Sequence, residues 1–322
     1  MVDVSGDGAD AANGSNNGTD AANDSVAATD GGGASVADET PTTSTASGGD
    51  GFVAVLAAAV DRIRSEPGLA APFVLAGILG AASSVARIAS PYPIGVTPFP
   101  QRGLLSVSAP FVPNLEPAIE IGSSILPGMK PPFLLGLVAW QVTVAAVTTV
   151  AFAVVLWRFS PGMSETTSAL ESANPIPPLR RIGRLLALVL AVQCGFFGVT
   201  FVAGVLGGGT LGIVFLAMLI VVALSAGLFL TPAYLVLEGS GLREGALESV
   251  DRVLERPISA ATLVVGLGYL SYAVTGVGTL VPSTTVGVFV GTVASVAVVG
   301  TIHAAVVVTA YRRWGEQTTN SS

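Results

Sequence analysis

Six long apolar blocks constrain the fold of this chain more than any other feature. Each block is at least 20 residues long and has no Lys, Arg, Asp or Glu near its centre. A helix of that length rises about 30 Å, enough to cross the hydrocarbon core of a bilayer. We therefore predict six transmembrane helices, at about 69–88, 133–157, 184–206, 210–236, 259–281 and 286–311.

The composition also indicates a membrane protein. Charged residues make up 11% of the chain, whereas soluble domains carry about 25%. Nine of the 21 acidic residues lie in the first 50 positions, so the remainder is even less charged. The predicted fold class is an all-α, polytopic membrane bundle. The basic residues are 13 Arg and one Lys, and this acidic, lysine-poor composition is typical of salt-loving archaea and high-GC bacteria.

The chain divides into a tail and a membrane domain. Residues 1–50 contain almost no large apolar side chains, so they cannot bury enough surface to offset their ordering entropy. We predict a disordered acidic tail there, and the segment lacks the apolar core of a secretory signal. The transmembrane domain is predicted over 51–315, and a short cytoplasmic tail over 316–322.

The arginines predict the orientation. Eleven of the 14 basic residues fall in the loops on the side of the N-terminus, and only Arg87, Arg102 and Lys130 fall on the other. Positive charge is retained on the cytoplasmic side of a membrane. We therefore expect a multi-pass protein of the cell membrane with both termini in the cytoplasm.

One charged phrase occurs twice, as VDRIRSEP at 60–67 and VDRVLERP at 250–257. Each follows an amphipathic stretch and precedes an apolar block, which predicts an interfacial helix that leads into a spanning helix. ALESA at 169–173 echoes ALESV at 246–250. The chain is thus predicted to contain three helical hairpins, each preceded by an amphipathic segment. The candidate interfacial and topogenic residues are Asp61, Arg62, Asp251 and Arg252.

The loop over 89–132, on the side opposite the N-terminus, is rich in proline. It holds ten of the chain's 20 prolines, which is too many for a spanning helix. PAIEIGSSIL at 117–126 could form a short surface helix. Long loops of this kind are often functional, but a proline-rich cap over a bundle is equally ordinary.

The stretch TPAYLVLEGSGLREGALESVDRVLERP at 231–257 resembles the six-helix membrane domain attached to some glycerophosphodiester phosphodiesterases. It is also similar to stand-alone membrane proteins of that build, common in archaea. The shared pattern is a fourth span that ends in an acidic residue and glycine, an amphipathic segment, and a new hairpin. The resemblance covers about 51–315. It implies the six-helix membrane fold but no enzymatic activity. The soluble catalytic barrel is missing, and the chain has one histidine.

Three polar residues within the spans are candidate sites. Intramembrane polar side chains are candidates for function, but they also hold helices together by hydrogen bonds. We favour the structural interpretation for His303, and interhelical bonding for Gln141 and Gln193. With one cysteine, Cys194, and one histidine, the chain has no disulfide and no residue set for a Cys- or His-based metal site.

Small residues recur at spacings of four. Gly287, Gly291 and Ser295 form one such stripe, and Gly204 and Gly208 form another. Small residues let helix backbones approach closely. Both stripes therefore predict helix packing, within the chain or between copies of it.

An intramembrane protease is a remote alternative. Rhomboid-type serine proteases also have six helices, with a serine in the fourth and a histidine in the sixth, as Ser225 and His303 are placed here. The serine must pass its proton to the histidine. Ser225 lacks the glycine two residues earlier that rhomboids use.

The sequence predicts an integral membrane protein that is not an enzyme and that has a structural, regulatory or accessory role at the membrane. The alternative is a small-molecule or lipid transporter with a polar cavity. We expect no catalytic residue, no cofactor and no metal. The expected partners are the lipid bilayer and either further copies of the chain or other membrane proteins, but not nucleic acid.

Overall fold

Helices make up nearly all of the described chain in this computed structural model. The structure describes residues 48–90, 96–99, 111–121, 130–159, 176–205 and 211–319, so most of the predicted acidic tail lies outside it. The helices are α1 (Gly48–Ser65), α2 (Ala71–Ile88), α3 (Pro131–Arg158), α4 (Leu179–Val205), α5 (Leu211–Gly227), α6 (Leu242–Glu255), α7 (Pro257–Gly276) and α8 (Thr284–Thr319). Shorter elements are 3-10 turns at Pro67–Ala70 and Val277–Leu280, a helical turn at Thr231–Ala233, a π-helical turn at Tyr234–Glu238, and strands β1 (Val96–Pro98) and β2 (Ile119–Ile121).

Among the described residues, six helical stretches are long and apolar enough to cross a membrane, which confirms the predicted all-α polytopic fold. The fourth stretch differs from the prediction because it is interrupted between α5 and the turn at Thr231–Ala233. The six stretches are Pro67–Ile88, Pro131–Arg158, Leu179–Gly198, Met218–Glu238, Pro257–Leu280 and Thr284–Gly315.

The repeated phrase produces the same backbone turn twice. Glu66, before Pro67, has φ −133° and ψ 70°, and Arg256, before Pro257, has φ −142° and ψ 54°. Proline disfavours helical angles in the residue before it, yet is well suited to the first turn of a new helix because it has no N–H to satisfy. Each phrase therefore ends an amphipathic helix and starts a span.

The two amphipathic helices pack against the bundle through small or apolar side chains. Val55 and Ala59 of α1 are buried against α7 and α8, whereas Ser249 and Val253 of α6 are buried near α5. Asp61 and Asp251 lie on the exposed faces of these helices. The third predicted amphipathic segment, around 169–173, falls outside the described residues.

The first and last spans form the most extensive helix pair in the bundle. Phe73 of α2 packs directly over Gly300 of α8, where an added Cβ would lie 2.6 Å from the Phe73 Cδ1. One turn further along, Gly77 faces the backbone of Val293. The glycines thus allow α2 and α8 to approach closely.

The end of the bundle that carries the proline-rich loop, here called the loop end, holds a small sheet instead of the predicted surface helix. β1 and β2 pair antiparallel, with Thr97 opposite Glu120. The alternation Ile119, Glu120, Ile121 has the period of a strand, which explains why the helical expectation for 117–126 was wrong at its described residues. Phe99 follows β1 in a backbone conformation rare for a side-chain-bearing residue, with φ 46°.

Candidate functional site

His303 lies in the packed interior of the bundle. It is completely buried, with the Phe152 ring edge-on at 5.2 Å and the Phe229 ring stacked at 6.0 Å between centroids. Neither ring nitrogen has a hydrogen-bond partner. The hydrogen bond to Ser225 that a serine protease would need is therefore not formed.

Gln141 and Gln193 are placed differently. Gln141 of α3 is exposed and Gln193 of α4 is partly buried. No hydrogen bond joins these two described side chains. Since His303 is enclosed and Gln141 is exposed, the three polar residues predicted within the spans do not line one cavity.

The motif TPAYLVLEG at 231–239 forms a helix end capped by arginines from α4. The Arg181 guanidinium donates to the carbonyl oxygens of Val236 at 2.9 Å and Leu237 at 2.8 Å. Arg184 donates to the Ser240 carbonyl oxygen at 2.8 Å. The last carbonyls of a helix have no partner within it, so these arginines satisfy them. Gly239 has φ 77°, and a Cβ there would lie 3.0 Å from Arg181 Nε.

Glu238 connects this helix end, which we call the arginine-rich end of the bundle, to the last span. Its carboxylate accepts hydrogen bonds from the Tyr311 hydroxyl of α8 and from Ser240. The Tyr234 and Tyr311 rings meet edge-on at 5.1 Å. The acidic residue of the motif thus joins α8 to the end of the fourth span.

Ser249 of α6 repairs the break after α5. Its hydroxyl donates to the Gly227 carbonyl oxygen at 2.7 Å and accepts from the Leu230 N–H at 3.1 Å. At this break the Thr231 N–H donates to the Leu228 carbonyl oxygen at 3.1 Å and not to that of Gly227, so the Gly227 carbonyl needs another partner. This role of Ser249 was not predicted from the sequence, although a serine on the apolar face of an amphipathic helix indicates it.

A buried ion pair fixes the proline-rich loop to α2. Arg87 Nη2 lies 3.2 Å from Glu116 Oε2, and both side chains are at least nine-tenths buried. Ser83 donates to the other Glu116 oxygen and accepts from Trp140 Nε1 at 3.0 Å. The Arg87 guanidinium lies 5.9 Å from the Trp140 ring centroid. Sequence reasoning assigned Arg87 only to orientation and missed its pairing with Glu116, one of two acidic residues in that loop.

The predicted glycine stripe of the sixth span lies against α7 and the turn after it. An added Cβ at Gly291 would lie 2.6 Å from the Thr275 carbonyl oxygen, and one at Gly287 would overlap the Gly278 carbonyl. Ser295 Oγ is 3.3 Å from Ser271 Oγ. These contacts are all within the chain. Gly204 lies in α4, in a stretch whose side chains the structure does not describe, and Gly208 falls outside the described residues.

Phe99 inserts its ring into the notch that these glycines leave. Phe99 Cζ lies 2.8 Å from where a Cβ of Gly278 would stand, and Phe99 Cε1 lies 3.4 Å from that of Gly291. The loop is thus held at two points, by Phe99 between α7 and α8 and by Glu116 on α2.

The charge pairs of the repeated phrase sit on the surface. Arg62 pairs with Glu66 at 2.9 Å, and Arg252 approaches Glu255 at 3.9 Å. Each of these pairs lies within or next to its own amphipathic helix. Exposed pairs of this kind contribute about 0 to 1 kcal/mol.

In α6, acidic residues outnumber arginines by four to two. Partial desolvation and the nearby carboxylates of Glu238 and Glu244 raise the pKa of Glu248 above its ordinary value of 4.5. Near neutral pH, this crowding disfavours the ionised form of Glu248 in the folded protein.

Neither the chain's fold nor its motifs lead to a known relative. Comparisons of the chain with protein-family models, with curated proteins and with solved structures give no match. The resemblance of 231–257 to the membrane domain of glycerophosphodiester phosphodiesterases therefore stays a prediction. What the structure establishes is a polytopic helical membrane protein.

Proposed function

We propose that this chain is a non-enzymatic membrane protein with a structural, regulatory or accessory role toward membrane lipids or other membrane proteins. The observation that carries the proposal is the enclosed interior around His303. A catalytic or transport histidine needs open space beside its imidazole for a substrate, and here aromatic rings pack against it. The other buried polar groups described above cap helices or fix the loop. They support the fold and do not converge on a common space.

The proposal is tested by reconstituting the full-length protein in liposomes. Release of encapsulated amino acids, sugars, K⁺ and protons should match that of protein-free liposomes. Faster release of any of these that is lost in His303→Leu or Gln141→Leu would overturn the proposal in favour of a transporter. Cleavage of a membrane-embedded reporter helix that is lost in Ser225→Ala would overturn it in favour of a protease.

A transporter is the second candidate function, and one observation favours it. The half of α3 that includes Gln141 is exposed, so the described helices leave this part of the bundle open. A substrate could enter the bundle from that side. The enclosed position of His303 limits how far such a path extends.

The proposed orientation places both termini in the cytoplasm. It is supported by the bias of basic residues and by the cluster of Arg181 and Arg184 at the arginine-rich end. In a Cys194→Ser background, Asn114→Cys should react with a membrane-impermeant maleimide in intact cells. Gln317→Cys should react only after the cells are opened. The reverse pattern would show that the orientation is wrong.

A further inference from the structure

The ends of α3, α4 and α8 meet at the arginine-rich end of the bundle. Arg312 of α8 donates to the Phe159 carbonyl oxygen, just after α3, at 2.9 Å. The Arg181 guanidinium of α4 lies 5.2 Å from the Trp157 ring centroid. Arg158 stands between Trp157 and Phe159 in the chain, so the end of α3 is flanked by the arginine-bearing ends of α4 and α8.

Three further arginines at these helix ends are exposed. They are Arg158 at the end of α3, Arg180 next to Arg181 in α4, and Arg313 next to Arg312 in α8. We call these three exposed residues the arginine rim. Within the described part of the chain, none of the three makes a hydrogen bond or an ion pair with a protein group. Their guanidinium groups are therefore available to a partner from outside the chain.

Positive charge predominates around the rim. The three helices carry six arginines near this end, one in α3, three in α4 and two in α8, and a single acidic residue, Glu316. Glu238, at the same end of the bundle, accepts hydrogen bonds from Tyr311 and Ser240. The rim therefore attracts an anionic group and repels a cationic one.

The rim lies at the ends of three stretches that are long enough to cross a bilayer, Pro131–Arg158, Leu179–Gly198 and Thr284–Gly315. Headgroups contact a membrane protein at this depth, where tryptophans such as Trp157 are enriched. A guanidinium group can donate two parallel hydrogen bonds to one phosphate, and clustered arginines beside a span recognise anionic headgroups. A zwitterionic headgroup also brings an ammonium group, which the rim repels.

We propose that the arginine rim binds the headgroup phosphate of an anionic phospholipid, taken from the leaflet at the arginine-rich end. The phosphate accepts hydrogen bonds from the Arg158 guanidinium, which is flanked on both sides, and from Arg180 or Arg313 beside it. This inference rests on the proposed accessory role toward membrane lipids and names the lipid class.

The test uses the full-length protein in bilayers with brominated lipids, which quench tryptophan fluorescence on contact. Trp140 bonds to Ser83 near the loop end, so Trp140→Phe leaves Trp157 and the buried Trp314 as the fluorescent residues. Quenching by dibrominated phosphatidylglycerol is compared with quenching by dibrominated phosphatidylcholine. The readout is the ratio of the two lipid binding constants. Because both lipids meet the same protein, a loss of folding affects both constants.

We expect phosphatidylglycerol to bind at least about fivefold more tightly than phosphatidylcholine, since one basic residue at an anionic membrane surface contributes a factor of about five. Arg158→Gln should therefore lower the ratio about fivefold. Arg243→Gln is the matched control, because Arg243 is an exposed arginine of α6, which carries four acidic residues, and it should leave the ratio unchanged. A ratio near one before either change, or equal ratios in the two variants, would overturn the proposal.

Inorganic phosphate distinguishes a lipid from a soluble anion. Added at constant ionic strength, it should not reduce quenching by phosphatidylglycerol, because the acyl chains keep the lipid in the bilayer beside the rim. Displacement of the lipid by phosphate would overturn the lipid assignment in favour of a soluble anion. A ratio near one with liposomes that stay sealed would refute only this inference, whereas solute release that is lost in His303→Leu or Gln141→Leu would refute the proposed function.

Discussion

Replacing Ser249 by alanine should destabilise the protein far more than an ordinary serine substitution. Ser249 is completely buried and serves two backbone groups, the Gly227 carbonyl and the Leu230 N–H. The substitution removes both hydrogen bonds and leaves both groups without that partner. Each buried group left unsatisfied costs about 1 to 3 kcal/mol, so the expected loss in the free energy of unfolding for the two groups is about 2 to 6 kcal/mol.

The loss can be measured by equilibrium unfolding in mixed micelles, with increasing SDS and tryptophan fluorescence as the signal. Ser65→Ala is the matched control, because Ser65 lies in the other amphipathic helix and donates to the Arg62 carbonyl at an exposed position. It should change stability by no more than about 0.5 kcal/mol. Hydrogen exchange at the Leu230 amide should also accelerate in Ser249→Ala. Equal stability of the two variants, with unchanged exchange at Leu230, would refute this account of the helix break.

Three further predictions concern the ends of the bundle. Gly239→Ala should lower the free energy of unfolding by about 1 to 3 kcal/mol, because the φ of 77° is unfavourable for alanine and the new methyl group meets Arg181. The SDS concentration at the midpoint of unfolding should therefore fall. An unchanged midpoint would contradict the capping role. Glu116→Ala should lower the free energy of unfolding by about 3 to 5 kcal/mol, because it leaves Arg87 buried without its ion-pair partner. The double variant Glu116→Met with Arg87→Met should have nearly the stability of the unaltered protein. Equal losses of stability in the two variants would contradict the ion-pair argument. Since the pKa of Glu248 is raised in the folded state, its contribution to stability is present below its ordinary pKa and lost as pH rises. Glu248→Gln should therefore raise the melting temperature at pH 7 and leave it unchanged at pH 4, and the opposite trend would show that the sign is wrong.

The sequence was sufficient to predict the spans because hydrocarbon thickness and backbone hydrogen bonding leave a long apolar segment few alternatives. The end of each amphipathic helix at the repeated phrase was also predictable, since Pro67 and Pro257 restrict the backbone of the residue before them through local sterics. These effects depend on neighbours in the chain, and the chain order alone reveals them.

The polar network was not predictable because its partners are distant in the sequence. Arg181 and Val236 are separated by 55 residues, and Ser83 and Glu116 by 33. Only the packing of the helices determines which arginine meets which carbonyl group. The sequence around His303 did not predict its burial either, because a histidine in an apolar helix can face lipid, water or aromatic rings.

The close packing of α2 against α8 has a consequence for biosynthesis. The first span is made more than 200 residues before Gly300, its partner for Phe73. At about 5 to 20 residues per second, that delay is roughly 10 to 45 s. Throughout it, the glycine face of α2 has only lipid or the insertion machinery as a neighbour, and Phe99 has no notch to enter. The contact between the first and last spans can therefore form only after α8 has been synthesised.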